Sequence, residues 1–411
     1  MSKILVIGGG AAGMMAAVFA ARAGANVTLL EKNEKLGKKV YITGKGRCNL
    51  TNDCDRDEFL TQVSRNPRFL YSALSFFSPR DMMALLEANG CPVEVQRGKR
   101  VFPVSEKASD VTKALSGLLR SGNVRIRLNA SVRGLKTDSG RITGAELTDG
   151  SFLQADAVIL ACGGLSYPST GSTGDGYRFA EALGHTITPL SPVLVGLETK
   201  EDWPKTLQGL SLRNVTLTLS SGKKKLYSEL GEMLFTHFGI SGPLVLEASC
   251  HLPDPAGNAL LSLDLKPGLT REQLDARLRR DFSEAGKKQL KSVLPGLLPV
   301  SFAEIFPSLC GINASLPCNQ VTAAQRETLL TCLKDLPLSI KAPRPVTEAV
   351  VTRGGVSVKE IDPGTMRSRL IPNLFFAGEM IDVDAHTGGF NLQIAWSTGA
   401  LAGHHAAEWQ F

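Results

Sequence analysis

Ile4-Leu5-Val6-Ile7-Gly8-Gly9-Gly10-Ala11-Ala12-Gly13 is the stretch that decides how this chain is read. Four consecutive apolar residues predict a short strand buried on both faces. Glycines spaced G-x-G-x-x-G follow at once, and the composition of residues 13–23 is helical. Residues 27–30 predict a second buried strand, and Glu31 ends it eighteen residues beyond Gly13. Each part has a physical role. Glycines let the backbone approach a pyrophosphate, the helix start supplies partial positive charge, and the acid accepts ribose hydroxyls. A tight turn with no ligand would not need all these parts in register. The opening therefore predicts a dinucleotide site touching Gly8, Gly10, Ala11, Ala12, Gly13, Glu31 and Lys32.

The far end of the chain predicts which dinucleotide. Leu374-Phe375-Phe376-Ala377 has the character of another buried strand and runs into Gly378-Glu379. Gly388-Gly389-Phe390-Asn391-Leu392-Gln393 then opens a helix expected to reach about residue 405. An NAD enzyme has no use for a second backbone approach so late in the sequence. FAD does, along its ribityl-phosphate arm and at the pyrimidine end of its ring, where a helix dipole stabilises the negative charge of reduced flavin. Gly378 joins the expected FAD contacts. The glycine-rich segment Gly171-Ser172-Thr173-Gly174-Asp175-Gly176 has the wrong order for a second nucleotide fold, so NAD(P)H is expected only as a transient electron donor.

Between the two ends, residues 55–120 read mostly helical. Short strands follow at 124–128, 130–135, 142–147 and 152–153 as a meander, ending in the apolar strand 157–161. After about residue 188 the alternation Val215-Thr216-Leu217-Thr218-Leu219 predicts antiparallel strands with one wet face. Residues 270–335 read as helical and basic. With 411 residues the chain exceeds one compact core. The expected organisation is an α/β FAD domain made of residues 1–187 and 345–411, interrupted by an inserted domain at 188–344.

The formal charge of +7 attracts anions without choosing among a dinucleotide, an acidic metabolite and RNA. Eight cysteines contain no C-x-x-C pair, which argues against a disulfide framework, a zinc site and a disulfide-reductase motif, and predicts a reduced, cytoplasmic setting. Lys3 followed by an apolar run imitates a signal peptide, but the three glycines and Arg22 spoil that reading. No run of about eighteen apolar residues predicts a membrane span. No metal site is expected, and the oligomeric state is not specified.

Four motifs add to the first glycine set: Lys45-Gly46-Arg47-Cys48-Asn49-Leu50-Thr51-Asn52, Gly163-Gly164-Leu165-Ser166, residues 234–243 (LFTHFGISGP), and residues 378–393. With these the chain resembles a family of bacterial flavoproteins that includes a bile-acid Δ4,6-reductase, an aminoacetone oxidase and a ribosomal-RNA dihydrouridine synthase. The resemblance covers nearly the whole chain and departs at Lys45, where many relatives carry glycine. It implies a Rossmann-like FAD domain from both chain ends with an inserted β-barrel and helical part. It further implies FAD contacts at Arg47, Asn49, Thr51, Val132, Gly164, Glu379, Asn391 and Leu392, with Thr236 and His237 closing over the ring.

Catalytic candidates are Cys48, His237 and His386, each a potential proton donor beside a hydride acceptor. Asp175 and Asp382 read better as organisers of backbone amides or flavin oxygens. Hydride from a flavin adds to an electron-poor carbon conjugated to a carbonyl, and the neighbouring carbon is then protonated. A 3-oxo-Δ4,6 bile acid, a steroid enone, offers such a carbon and is the leading small-molecule substrate. Uridine in 23S ribosomal RNA offers one too, and the basic residues Lys223, Lys224, Lys225, Arg277, Arg279, Arg280, Lys287, Lys288 and Lys291 motivate that alternative. Aminoacetone-type amine oxidation is the same transfer reversed, and a flavin-bearing sensor without turnover is the reading outside enzymology.

Overall fold

The computed structural model describes residues 1–253 and 259–409. They form two compact units, Met1–Val193 with Pro345–Phe411, and Leu194–Arg344.

The first unit is built on a five-stranded parallel sheet. Its strands are β1 (Lys3–Ile7), β2 (Asn26–Leu30), β3 (Arg125–Arg127), β4 (Ala157–Leu160) and β5 (Leu374–Phe376), in spatial order β5-β4-β1-β2-β3. Ile4 pairs with Val27 on one side and Ala157 on the other. Every residue of β4 and of the edge strand β5 is buried, as expected for parallel strands covered on both faces. Helix α1 (Ala11–Arg22) leaves β1, and helix α2 (Phe390–Glu408) closes the unit. The two helices touch backbone to backbone: a Cβ on Gly399 would lie 2.3 Å from the Ala12 carbonyl oxygen, and one on Gly403 would lie 2.1 Å from that of Ala16. Buried Asn373 ties the antiparallel meander to the sheet. Its amide nitrogen donates to the carbonyls of Ile142 (2.7 Å) and Asp156 (2.8 Å), and its oxygen accepts from the Ile142 N–H.

Two expectations are corrected here. The stretch 124–128 is not the first strand of the meander: its residues Arg125–Arg127 pair with β2 and form the edge of the main sheet. The stretch 55–120 is mostly helical, as expected, and is interrupted by Val93–Gln96 and Arg100–Pro103, which form a hairpin around Gly98, whose φ is +74°. Ser191–Val193 pairs with Val351–Arg353, so residues 191–193, expected in the insert, belong to the first unit.

The second unit is a closed six-stranded antiparallel barrel. Its strands run in the order Leu197–Thr199, Gly239–Ser241, Lys224–Thr236, Ser211–Ser221, Ala259–Asp264 and Leu336–Pro343. Alternating Val215, Leu217 and Leu219 are buried, as the period of two demands. Helices Arg271–Ala285 and Ala323–Lys334 each begin with a capping box, Thr270 with Gln273 and Thr322 with Gln325. Trp203 stacks on Phe302 at 5.7 Å, and Phe235 meets both edge-on in the core. The basic helix is largely self-neutralised: Arg277 pairs with Asp281, Arg279 and Arg326 with Asp275, and Arg271 with Glu327.

Candidate functional site

The β1–α1 turn is shaped by three glycines with different surroundings. Gly8 has φ +105°, and a Cβ there would lie 2.4 Å from the Ala161 carbonyl oxygen. A Cβ on Gly13 would lie 1.8 Å from the Gly8 oxygen, which locks helix to strand. Gly10, the N-cap of α1, faces nothing within 4 Å, and no side chain caps the helix. The N–H groups of Ala11, Ala12 and Gly13 thus line an open cradle at the positive end of the helix. That is the surface a diphosphate needs.

Glu31 is 8% exposed at the end of β2. Its Oε2 accepts from the Gly9 N–H at 2.8 Å, and its Oε1 accepts from the N–H and the side-chain amide of Asn33. The Ala130 N–H donates to the Glu31 carbonyl, which brings the start of strand Val132–Asp138 beside the acid. Lys32 turns the other way, with its Nζ 2.7 Å from Asp175 and bonded to Thr173. The segment 171–176 therefore anchors Lys32, and Asp175 organises a cation instead of a backbone amide.

The β5–Gly378 loop lies over both helices. Gly378 has φ +73°, a Cβ on it would lie 2.7 Å from the Ala12 methyl, and its N–H donates to Thr398 of α2. Glu379 follows. Its Oε2 lies 2.6 Å from Lys39 Nζ, while its Oε1 accepts from the Ser166 hydroxyl (2.9 Å) and the Thr352 N–H (2.8 Å). Burial disfavours the ionised carboxyl, but Lys39 and the two hydrogen bonds outweigh it and hold Glu379 below the usual carboxylate range. A Cβ on Gly164 would strike Thr352 Oγ1, which accepts from the N–H groups of Leu165 and Ser166. Lys39 and Thr352 were not among the sequence candidates. Lys39 sits in a Lys38-Lys39 pair that reads as surface charge, and nothing local marks a partner 340 positions away.

Helix α2 also begins uncapped, at Gly389 with φ +97°. Gln393 N–H makes the first helical bond, back to the Gly389 carbonyl, so those of Phe390, Asn391 and Leu392 have no helical acceptor. In the amide orientation that satisfies both its bonds, Asn49 accepts from Gly389 N–H at 3.0 Å and donates to the Thr51 carbonyl. Asn391 holds the preceding loop by donating to the carbonyls of Ala385 and His386. Thr51 points into the core, where its hydroxyl donates to Gln393 at 2.7 Å. Arg47 is clamped by Gln96 and Glu106 and lies 4.3 Å over the Phe102 ring. Lys45 has φ +59°, a left-handed geometry that favours glycine.

The three catalytic candidates differ sharply. Cys48 is fully buried, and burial pushes its thiol up to about 12, far from a useful general acid. His386 is half-buried on the loop after strand Asp384–Ala385, with Nε2 3.4 Å from Ser64 Oγ. His237 is an exposed residue of the second unit, at the two-residue turn between Lys224–Thr236 and Gly239–Ser241, packed edge-on to Phe238. Asp382 and Asp384 pair with Arg65 (2.7 Å) and Arg353 (2.9 Å), so Asp382 also organises a cation.

Two uncapped helix starts and an ionised glutamate tied to both helices fit a cofactor with a diphosphate, a polyol and an electron-poor ring. Residues 2–405 match the family described as HI0933-like protein Rossmann domain. The chain is 33% identical over 414 residues to the 3-dehydro-bile acid delta(4,6)-reductase of Clostridium scindens, covering 99% of this chain and all of that protein. It is 30% identical to the ribosomal RNA dihydrouridine synthase of Escherichia coli, covering 96% of this chain and 95% of that one. A solved 3-ketosteroid-delta4-(5alpha)-dehydrogenase from Rhodococcus jostii shares the fold at 16% identity, with TM-score 0.56 over 99% of this chain and 97% of that chain. No helix among the described residues is long and apolar enough to cross a membrane. The glycine cradle, the late glycine loop and the match along nearly the whole length agree: this chain belongs to the HI0933-like family of FAD-dependent Rossmann oxidoreductases.

Proposed function

We propose that the protein is an FAD-dependent reductase that takes hydride from NAD(P)H and delivers it to a conjugated C=C of a 3-oxo-Δ4,6 bile acid. The observation that carries this reading is the 33% identity to the Clostridium scindens reductase across the full length of both chains. Bound FAD would supply hydride transfer to the enone β-carbon. The start of α1 would hold the diphosphate, Glu31 the ribose and Glu379 the ribityl hydroxyls. The start of α2 would stabilise negative charge at the pyrimidine end of the ring. Proton delivery to the neighbouring carbon falls to an imidazole, His386 or His237, because the Cys48 thiol is too weak an acid.

The test is anaerobic reduction of the yellow protein by NADH or NADPH, followed by a 3-oxo-4,6-diene bile acid. Rapid return of the oxidised flavin spectrum with one of the two conjugated double bonds reduced per flavin is expected. A flavin that reduces and then ignores the steroid overturns the substrate. The second reading, uridine reduction in ribosomal RNA, draws on the 30% identity to the Escherichia coli enzyme. The ion pairs along Arg271–Ala285 weigh against it, since arginines already paired with carboxylates bind phosphate less well.

A further inference from the structure

The last two turns of α2 carry His404, His405 and Glu408, which none of the chemistry above uses. His404 Nε2 lies 3.3 Å from Glu408 Oε1, and His405 Nδ1 lies 3.4 Å from Glu408 Oε2. The donor atoms of the three residues all fall within 4.8 Å of one another. Ligands held 2.0–2.1 Å from a tetrahedral zinc ion stand roughly 3.3 Å apart, and each imidazole already stands about that far from one Glu408 oxygen, His404 from Oε1 and His405 from Oε2. We propose that His404, His405 and Glu408 form a surface site for one divalent first-row transition-metal ion of the zinc type.

The donor set argues for that class. Two imidazoles and one carboxylate suit zinc, nickel or copper, whereas magnesium and calcium take oxygen ligands. The location argues the same way, because the carbonyl end of a 19-residue helix carries partial negative charge that favours a cation. Both rings are held yet open to solvent: their side chains are 34% and 30% exposed, and His404 packs 5.0 Å from the Phe76 ring. The plainer reading, a pair of histidine–carboxylate contacts on an exposed turn, does not require two adjacent rings to converge on one carboxylate. Three protein ligands leave at least one coordination position for water or an external donor.

Zinc chloride titrated calorimetrically into the chelator-stripped flavoprotein tests this. One equivalent per chain is expected, weakened at least about 30-fold in H404A/H405A and about fivefold in E408Q. Cobalt should give weak ligand-field bands without a thiolate charge-transfer band. Unchanged flavin spectra and melting temperatures of the variants without metal would show that they are folded. Absence of saturable zinc binding overturns the site. So does binding that survives H404A/H405A, which would put the ion on the cysteine thiols instead.

Discussion

Lys39 Nζ lies 2.6 Å from Glu379 Oε2 and 2.6 Å from Ser166 Oγ, joining three segments from opposite ends of the chain around one carboxylate. The pair is tied to both helices because Gly378, next to Glu379, rides on Ala12 of α1 and bonds Thr398 in the middle of α2. If Glu379 holds the cofactor as proposed, Lys39 is a positioning residue that acts through it.

Replacing Lys39 by methionine leaves Glu379 without its cation. Removing one partner of a fully buried pair costs about 3–5 kcal/mol. Here the side chains are 23% and 19% exposed, so a loss of roughly 2 kcal/mol is expected at pH 7. The pH dependence has a defined sign. Glu379 ionises more readily folded than unfolded, so its contribution is present above the ordinary glutamate value of 4.5 and is lost as pH falls through the lowered folded value. Melting temperature against pH should show the gap between wild type and K39M closing in acid. Flavin affinity should fall at least about tenfold in K39M and recover in part in K39R. A K39M protein with unchanged flavin affinity would remove Lys39 from the cofactor site.

The glycine turn predicts two opposite phenotypes. A Cβ on Gly13 would lie 1.8 Å from a backbone oxygen, so G13A should fail to fold or melt far lower. Gly10 has an ordinary φ of −81° and open space ahead of it. The flavin-free G10A protein should therefore melt within about 0.5 kcal/mol of wild type, in the range of neutral surface changes. Its flavin affinity should drop tenfold or more, because the methyl enters the diphosphate's place. If G10A binds FAD normally, the cradle has been misassigned.

Much of this was legible in the sequence because it is local. The strand, glycines and acid from Ile4 to Glu31, and the late loop from Leu374 to Gln393, carry their signals within a few residues. Long-range relations were not legible. Lys39 meets Glu379 only after the chain ends fold together. Arg125–Arg127 is too short to show whether it joins the meander or the parallel sheet, and its place is fixed by Glu31 N–H bonding the Arg127 carbonyl. The hairpin at Val93–Gln96 hid in a helical stretch because its two strands are only four residues each. The barrel's Val215, Leu217 and Leu219 were visible as alternation, but not its closure between Leu197–Thr199 and Leu336–Pro343.

Proton delivery separates the three catalytic candidates. Cys48 is buried with its thiol pushed up to about 12, so C48A should change turnover by less than about threefold, at a stability cost near 1 kcal/mol for one small buried group. H386A and H237A should each be assayed for turnover and for its pH profile. Loss of a general acid costs about 10²–10⁴ in rate and removes the limb of the profile that reports its ionisation. A hundredfold loss in C48A with the pH profile of the histidine variants intact would return the thiol to the mechanism.

Asn373 gives a stability test independent of the cofactor. Its side chain is 2% exposed and makes three hydrogen bonds, to both backbone groups of Ile142 and to the Asp156 carbonyl. Replacement by alanine strands those groups without reach of water, at about 1–3 kcal/mol for each that stays unpaired. Partial relaxation of the meander should limit the total to roughly 3 kcal/mol in denaturant unfolding of the first unit. Asn373→Asp separates the parts of this cost. The carboxylate can still accept from Ile142 N–H, but it faces two carbonyl oxygens where the amide donated. It should therefore destabilise at least as much as alanine above neutral pH and less in acid, where protonation restores one donor. Equal stabilities of the two variants at all pH values would mean that the donated bonds to Ile142 and Asp156 contribute nothing.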